Sequence, residues 1–337
     1  MLMTIIITAF SAVIVTWALG FGVIPWLRKL KFGQTILDIG PVWHKKDKQG
    51  TPTMGGLMFA AGIVVAFVVG MILLSVNGLV SSEQSEGLAS FKAISALCAA
   101  VLFGFIGFLD DFIKVKKKQN EGLTPNQKII LQILVIAGYF TARVLSGDTS
   151  TVIAFPFIGQ LDLWYFYYIV MGLGILYIVN AVNLTDGVDG LCSSVTFVYC
   201  VAFAIIAAIL GYYGCTVLAV AAAGGCLGFL IWNFHPAKVF MGDTGSMLLG
   251  GIVATLGVGM HAEVLMVIAA AVYIWEALTV LIQTTYFKIT HGKRLFKMTP
   301  IHHSFEMRGW KENKIVIVFS LLGAAAGTAA VLLTYGL

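Results

Sequence analysis

Five aspartates fall in short polar stretches between long apolar runs, in a chain of 337 residues with only 16 acidic side chains. Asp110-Asp111 ends one apolar run, Asp186 and Asp189 lie in Asn180-Ala-Val-Asn-Leu-Thr-Asp-Gly-Val-Asp-Gly190, and Asp243 lies in Phe240-Met-Gly-Asp-Thr-Gly-Ser246. Carboxylates beside hydrocarbon are costly and tend to be functional. Several at one depth suit a hard divalent cation such as Mg2+, which takes few protein carboxylates and keeps waters or substrate phosphates as its other ligands. Asp186 and Asp189 share one face if their segment is helical. Gly187, Gly190, Gly242 and Gly245 would let backbone amides approach a phosphate. Lys114, Lys116, Lys117, Lys118 and Lys128 flank the first pair, and His302-His303 adds groups that exchange protons near neutral pH. Each feature also has a plainer reading: a solvated helix end, a turn, a helix cap, a surface histidine pair, a lysine run on lipid headgroups. Their joint fall on one membrane face favours a Mg2+–phosphate site.

The elements that carry these residues are read from composition. The chain is 59% hydrophobic and 11% charged, against about 25% charged in soluble domains, and its mean hydropathy is +0.94. That excludes a soluble enzyme, a disordered chain, a coiled coil and a disulfide scaffold. Ten apolar segments, at about 3–27, 54–77, 92–109, 128–145, 163–182, 190–212, 215–233, 245–261, 263–287 and 314–334, predict an all-α polytopic integral membrane protein of about ten transmembrane helices. The loops 28–53, 110–128, 183–189, 234–244 and 288–314 hold 19 of the 21 Lys and Arg, leaving only Lys92 and Arg143 elsewhere. The positive-inside rule makes these five loops cytoplasmic, with both termini outside, so that they form the active site. The net charge of +5 is accounted for by membrane lipids and an anionic substrate, with no nucleic acid. One integral-membrane domain, 1–337, is expected. Residues 151–159 predict an external hairpin. The five cysteines, all in apolar stretches, read as packing residues, and the first apolar run as a retained span rather than a signal peptide. Pro25 predicts a kink or helix end. Glu276, inside the ninth segment with no second midplane charge to pair with it, reads as a packing or helix-break residue.

Thr51-Pro-Thr-Met-Gly-Gly56, Gly107-Phe-Leu-Asp-Asp111, Asn180–Leu191, Asn233, Phe240–Ser246 and Lys297-Met-Thr-Pro-Ile-His-His-Ser-Phe-Glu306 occur in one order along nearly the whole chain. In this set the sequence resembles the polyprenyl-phosphate N-acetylhexosamine-1-phosphate transferases, and within them the phospho-N-acetylmuramoyl-pentapeptide transferase family. The resemblance implies transfer of phospho-MurNAc-pentapeptide from UDP-MurNAc-pentapeptide to undecaprenyl phosphate, giving lipid I and UMP, with Mg2+. It implies a ten-helix homodimer in the bacterial cytoplasmic membrane, active on its cytoplasmic face. By residue, it implies Asp243 as the metal ligand, Asp110 as the group activating the lipid phosphate, and Asp111 as support to both. It also implies Lys48, Thr53, Asn183, Asp186, Asp189, Asn233 and Phe240 as a nucleoside-side pocket, with Phe240 stacked on uracil. Lys114 and Lys128 match phosphate contacts. His302 and His303 match the first two of three consecutive family histidines, the third being Ser304 here. The reaction would proceed by direct attack or through a covalent phospho-sugar on a carboxylate.

The rivals are a sister transferase that uses UDP-GlcNAc, which the Pro-Ile-His-His-Ser-Phe-Glu segment opposes, and a secondary transporter. A transporter would carry ionisable groups at the midplane on broken helices, often in repeated halves. A membrane scaffold would have no need of five aspartates on one face.

Overall fold

A computed structural model describes residues 1–30, 50–78, 84–117 and 121–337. Twelve helices are described: α1 (Leu2–Lys29), α2 (Gly56–Val76), α3 (Gln84–Lys117), α4 (Pro125–Leu145), α5 (Phe166–Thr185), α6 (Leu191–Ile209), α7 (Tyr213–Asn233), α8 (Gly242–Gly259), α9 (Glu263–Ala269), α10 (Ala271–Ile289), α11 (Ile301–Glu306) and α12 (Glu312–Leu333). A 3-10 turn, Thr334–Gly336, follows. The hairpin expected at 151–159 forms as β1 (Val152–Phe155) and β2 (Gly159–Asp162), antiparallel, with Val152 opposite Asp162 and Phe155 opposite Gly159. Nearly every backbone polar group in the apolar runs is satisfied within its own helix, as hydrocarbon demands.

Eight of these helices are long and apolar enough to cross a membrane, and α9 with α10, bent by 73° at their junction, would make a ninth if the bent pair is a single span. The remaining expected span, 245–261, folds as α8. Its residues from Thr244 to Gly259 are all buried, so it is enclosed by other helices rather than by lipid. Pro25 does not end α1, which runs on for one more turn to Lys29.

Without a hydrophobic drive between helices in lipid, small residues that let backbones approach hold the bundle together. Helix α1 buries Thr4, Thr8, Ala12, Thr16 and Gly20, a stripe spaced by four. Gly62 and Gly70 of α2 face Thr16 and Thr8, while Gly224 and Gly228 of α7 face the α1 backbone at Ala9 and Val13. The opposite side of α1 exposes Phe10, Ile14 and Phe21. An apolar groove of about 600 Å3 opens between α4 and α5, lined by Ile133, Phe140, Leu145, Tyr168 and Leu176 among others.

The two cations outside the basic loops have one shared anion. Asp148 accepts hydrogen bonds from Arg143 Nε at 2.9 Å and Nη2 at 2.8 Å, and lies 3.3 Å from Lys92 Nζ and 2.8 Å from His261 Nε2. This cluster ties the start of α3, the end of α4 and the α8–α9 junction at the end of the bundle opposite Asp110 and Asp243.

Candidate functional site

The site is built where α3 crosses α8, the most extensive helix contact in the described residues. Ala100, Gly104 and Gly107 present a flat face to α8. A Cβ on Gly104 would lie 2.9 Å from Leu248 Cβ, and one on Gly107 only 2.0 Å from the Asp243 carbonyl oxygen. Gly251 of α8 packs equally closely on Ala100. One turn beyond Gly107, helix α3 continues to Lys117, so Asp110 and Asp111 stand inside a helix rather than at its solvated end. Both are buried, at 2% and 4% exposure.

Asp111 faces the first turn of α8. Its Oδ2 accepts from Thr244 N at 2.9 Å and Thr244 Oγ1 at 2.7 Å, and its Oδ1 accepts from Asp243 N at 3.2 Å. A carboxylate from one helix thus caps another, where the free amides and the helix dipole favour negative charge. Asp243 is thereby held over Asp110. Carboxylate oxygens of Asp110, Asp111 and Asp243 lie within 4.8 Å of one another.

Two lysines balance this charge. Lys128 Nζ is 2.7 Å from Asp243 Oδ2 and 3.6 Å from Asp110 Oδ1. Lys114 Nζ is 2.5 Å from Asp110 Oδ2 and 3.3 Å from Asp243 Oδ2. Asp110 Oδ1 also accepts from Leu123 N at 2.9 Å. Asn183, grouped with the nucleoside side by resemblance, instead donates to Asp243 Oδ1 at 2.9 Å and Ser246 Oγ at 2.8 Å. Six residues singled out in the sequence therefore meet here: Asp110, Asp111, Lys114, Lys128, Asn183 and Asp243. Three carboxylates against two ammonium groups leave a net negative centre of oxygen donors, which suits a hard divalent cation.

A second group lies at the ends of α5, α7 and α12. Asp189 Oδ2 accepts from Ala237 N at 3.0 Å and lies 3.0 Å from His235 Nδ1, while Glu312 Oε2 accepts from Asp189 N at 3.0 Å. Asn233 accepts from Gly190 N at 3.1 Å and donates to Val239 O at 2.9 Å. These bonds brace the loop that ends in Phe240, whose half-buried ring is carried on a backbone pinned by Phe240 N to Pro52 O, 2.8 Å, and Gly55 N to Phe240 O, 2.8 Å. Thr53 is buried behind the same loop, its hydroxyl against Gly242. Asp186 closes the C-terminus of α5. Lys48 lies outside the described residues.

At the four glycines expected to admit a phosphate, the space a side chain would take is filled by protein. Gly245 packs on Phe59 and Gly56, Gly242 on Asp111 and Thr53, Gly190 on Phe234, and Gly187 on His302. Gly190 and Gly242 also need positive φ, 76° and 69°. They serve close packing and turns, and the Gly190 amide is already bonded to Asn233.

His302 and His303 sit on α11, packed against the turn that follows α5. His302 is fully buried beside Glu276, Nδ1 to Oε2 3.1 Å. Glu276 therefore lies beside a titratable ring, a neighbour that its reading as a packing or helix-break residue did not foresee. Sequence reasoning also missed Thr244 and Ser246, which bind the key carboxylates and their amide partner, and Gln283. The Gln283 amide fixes the 295–296 backbone through three hydrogen bonds of 3.0 Å.

Comparison with known proteins agrees with this geometry. The Glycosyl transferase family 4 model matches residues 93–261, which contain the α3–α8 crossing. Phospho-N-acetylmuramoyl-pentapeptide-transferase signature 1 matches residues 48–59. The phospho-N-acetylmuramoyl-pentapeptide-transferase of Clostridium perfringens (strain SM101 / Type A) is 44% identical over 310 residues, covering 92% of this chain and 90% of the relative. That of Halalkalibacterium halodurans is 41% identical over 330 residues, covering 98% and 97%, and that of Listeria monocytogenes serotype 4b (strain F2365) is 41% identical over 313 residues, covering 92% of each. With this likeness running almost end to end, and the acidic crossing inside it, the chain belongs to the phospho-N-acetylmuramoyl-pentapeptide-transferase family.

Proposed function

We propose that this protein transfers phospho-MurNAc-pentapeptide from UDP-MurNAc-pentapeptide to undecaprenyl phosphate, releasing UMP and leaving lipid I, at the cytoplasmic face of the bacterial membrane. The observation that carries the reading is the α3–α8 crossing, which gathers Asp110, Asp111 and Asp243 within 4.8 Å under Lys114 and Lys128.

An acceptor phosphate oxygen attacks the sugar-bearing phosphorus of the donor. The bond from that phosphorus to the bridging oxygen breaks, and UMP leaves with the electron pair. The acceptor phosphate is largely dianionic at neutral pH, since a phosphomonoester's second pKa is about 6. Asp110 takes up what proton remains. It suits this role better than Asp111, whose two oxygens are committed to the first turn of α8. Lys114 and Lys128, now on carboxylates, are placed to follow the phosphates and offset the charge that develops on them. Asp243 would hold Mg2+, which when bound neutralises phosphoryl oxygens as a Lewis acid. Phe240 offers its half-buried ring to the uracil, and Asp189, Asn233 and Thr53 hold the loop behind it. A homodimer and a single domain over 1–337 are part of the same reading.

The test is UMP release by purified protein in detergent with undecaprenyl phosphate. UDP-MurNAc-pentapeptide or UDP-GlcNAc would be the donor, each with Mg2+ or EDTA. Mg2+-dependent release from the muramoyl donor alone is expected. Release from UDP-GlcNAc instead moves the protein to the sister branch. No release from either donor by folded protein overturns the transferase reading.

A further inference from the structure

Two aromatic residues at the end of the bundle opposite the acidic site hold positive φ, Phe157 at 61° and Trp164 at 50°. Left-handed backbone favours Gly or Asn, and a bulky side chain there is strained. Phe157 lies in the turn between β1 and β2, and Trp164 lies between β2 and the start of α5. Neither ring is buried in the protein. Phe157, Ile158, Leu161, Trp164, Tyr165 and Phe166 are all exposed, Ile158 by 85% and Tyr165 by 83%. Strain of this kind persists where the chain has a use for the side chains it carries. Facing water, the six would form a contiguous apolar patch of the sort that marks an interaction surface.

The hairpin is held at the depth where the spans end. Its base follows α4 and leads into α5. Its tip is tied to the last residues of the chain: Phe157 N donates to Gly336 O at 2.9 Å, and the Phe157 ring fills the side-chain space of Gly336. Gly336 closes the apolar span that begins at Glu312. Strand β1 lies against α9, with Ile153 buried. Tip and base are thus both fixed to span ends, and the hairpin lies along the end of the bundle rather than standing away from it.

The exposed patch continues into side chains that face lipid, Ile169 and Val170 on α5 and Leu332 on α12. Tryptophan and tyrosine concentrate at the boundary between hydrocarbon and water, where an apolar body and a polar edge are both satisfied. No Lys or Arg occurs between Arg143 and Lys238, so nothing in this segment selects anionic headgroups. Asp162 on β2 is occupied with Thr151 Oγ1 at 2.6 Å and Trp164 N at 2.9 Å. We propose that the hairpin tip and residues 164–166 are embedded in the lipid leaflet opposite the acidic site. They form an interfacial anchor for the ends of α5 and α12, and its partner is the headgroup–acyl boundary of that leaflet. The anchor rests on the membrane fold alone and is independent of the transferase reading.

The test uses full-length protein in phosphatidylcholine vesicles, with a nitroxide on a single cysteine. Ile158→Cys and Tyr165→Cys are the test positions, in a Cys98→Ser background because the other four cysteines are buried. Electron paramagnetic resonance compares collision with O2, which concentrates among acyl chains, and with a water-soluble nickel chelate. Leu321→Cys, exposed in the middle of α12, is the lipid reference, and Lys293→Cys, exposed in the basic loop after α10, is the water reference. At both test positions O2 collision should exceed that of the chelate, at a depth of roughly 5–10 Å below the headgroups. A preference for the chelate at either position, as at Lys293, would place the hairpin in water and overturn the proposal. Protection from both reagents at either position would overturn it too, since the patch would then be covered by protein, a second copy or another chain.

Discussion

Gly107→Ala tests whether the helix crossing sets the position of the reactive carboxylates. The added methyl would sit 2.0 Å from the Asp243 carbonyl oxygen, 2.3 Å from its carbon and 2.7 Å from Thr244 N. Ordinary contact begins near 3.4 Å, so α3 and α8 must part by about 1.4 Å at this point, and neither neighbour is a flexible side-chain end. Overpacking of this kind costs about 1–3 kcal/mol, which a bundle of this size should survive. The effect on chemistry should be larger. A displacement of about 1 Å in a catalytic group costs on the order of 100-fold in rate, and here Asp243 moves away from Asp110 and Lys114, both carried on α3. The expected result is a kcat for UMP release lowered about 100-fold in protein that remains folded by circular dichroism and monodisperse by gel filtration. Gly138→Ala is the control: nothing lies within 4 Å of its Cβ position, and an alanine in a helix gains up to about 1 kcal/mol over glycine. Wild-type turnover in Gly107→Ala would refute the claim that this crossing places Asp243.

Asp243→Ala removes the shared partner of Lys114, Lys128 and Asn183, and should cut turnover by at least about 10²–10³-fold at every Mg2+ concentration; near-normal rates would take it out of the metal site. Phe240→Ala should weaken UDP-sugar binding by about 1–3 kcal/mol in calorimetry and leave lipid affinity unchanged, whereas equal UDP-sugar affinity would exclude stacking. Asp148→Asn leaves Lys92 and Arg143 buried without their anion, and should cost about 3–5 kcal/mol of stability with donor KM unaltered. Burial pushes the Asp148 carboxyl up, but the His261 hydrogen bond and the Arg143 and Lys92 charges outweigh it and hold it well below the usual carboxylate range. A depressed carboxylate stabilises above its unfolded pKa of about 3.9 and loses that contribution as pH falls below it. Wild type should therefore approach the Asn variant in stability on acidification, and a constant difference down to pH 3 would contradict the linkage.

The membrane class, the spans and the acidic residues were legible because each is written locally. Apolar runs mark helices, and lysine and arginine mark loops. What escaped depends on partners far along the chain. Asp111 looks like half of a catalytic pair, and only the first turn of α8, over 130 residues on, makes it a cap. The need for glycine at 242 and 245 also comes from distant partners, since Thr53, Gly56 and Phe59 occupy the space a side chain would take. Glu276 lacked a midplane partner in the sequence because His302 enters from a short helix beyond a loop. The α9–α10 bend carries no Pro or Gly, only Ala269-Ala-Ala271, so no residue type announces it. Asn183 sits next to the nucleoside motif in sequence, yet helical geometry turns its amide to Asp243.

These placements divide labour among carboxylates that sequence treats as alike. Asp111 spends both oxygens on backbone amides and a hydroxyl, all of them groups that hold the first turn of α8 in place. Asp243 and Asp110 are held chiefly by lysine side chains, which are long and can turn to a phosphate. The rigid bonds therefore build the site and the movable ones leave it reactive. The same separation recurs at α5, where Asn183 grips Asp243 from the last turn while Gly187, just beyond, receives both imidazoles. A donor whose phosphates lie between that turn and the α3–α8 crossing would touch groups positioned by several helices at once.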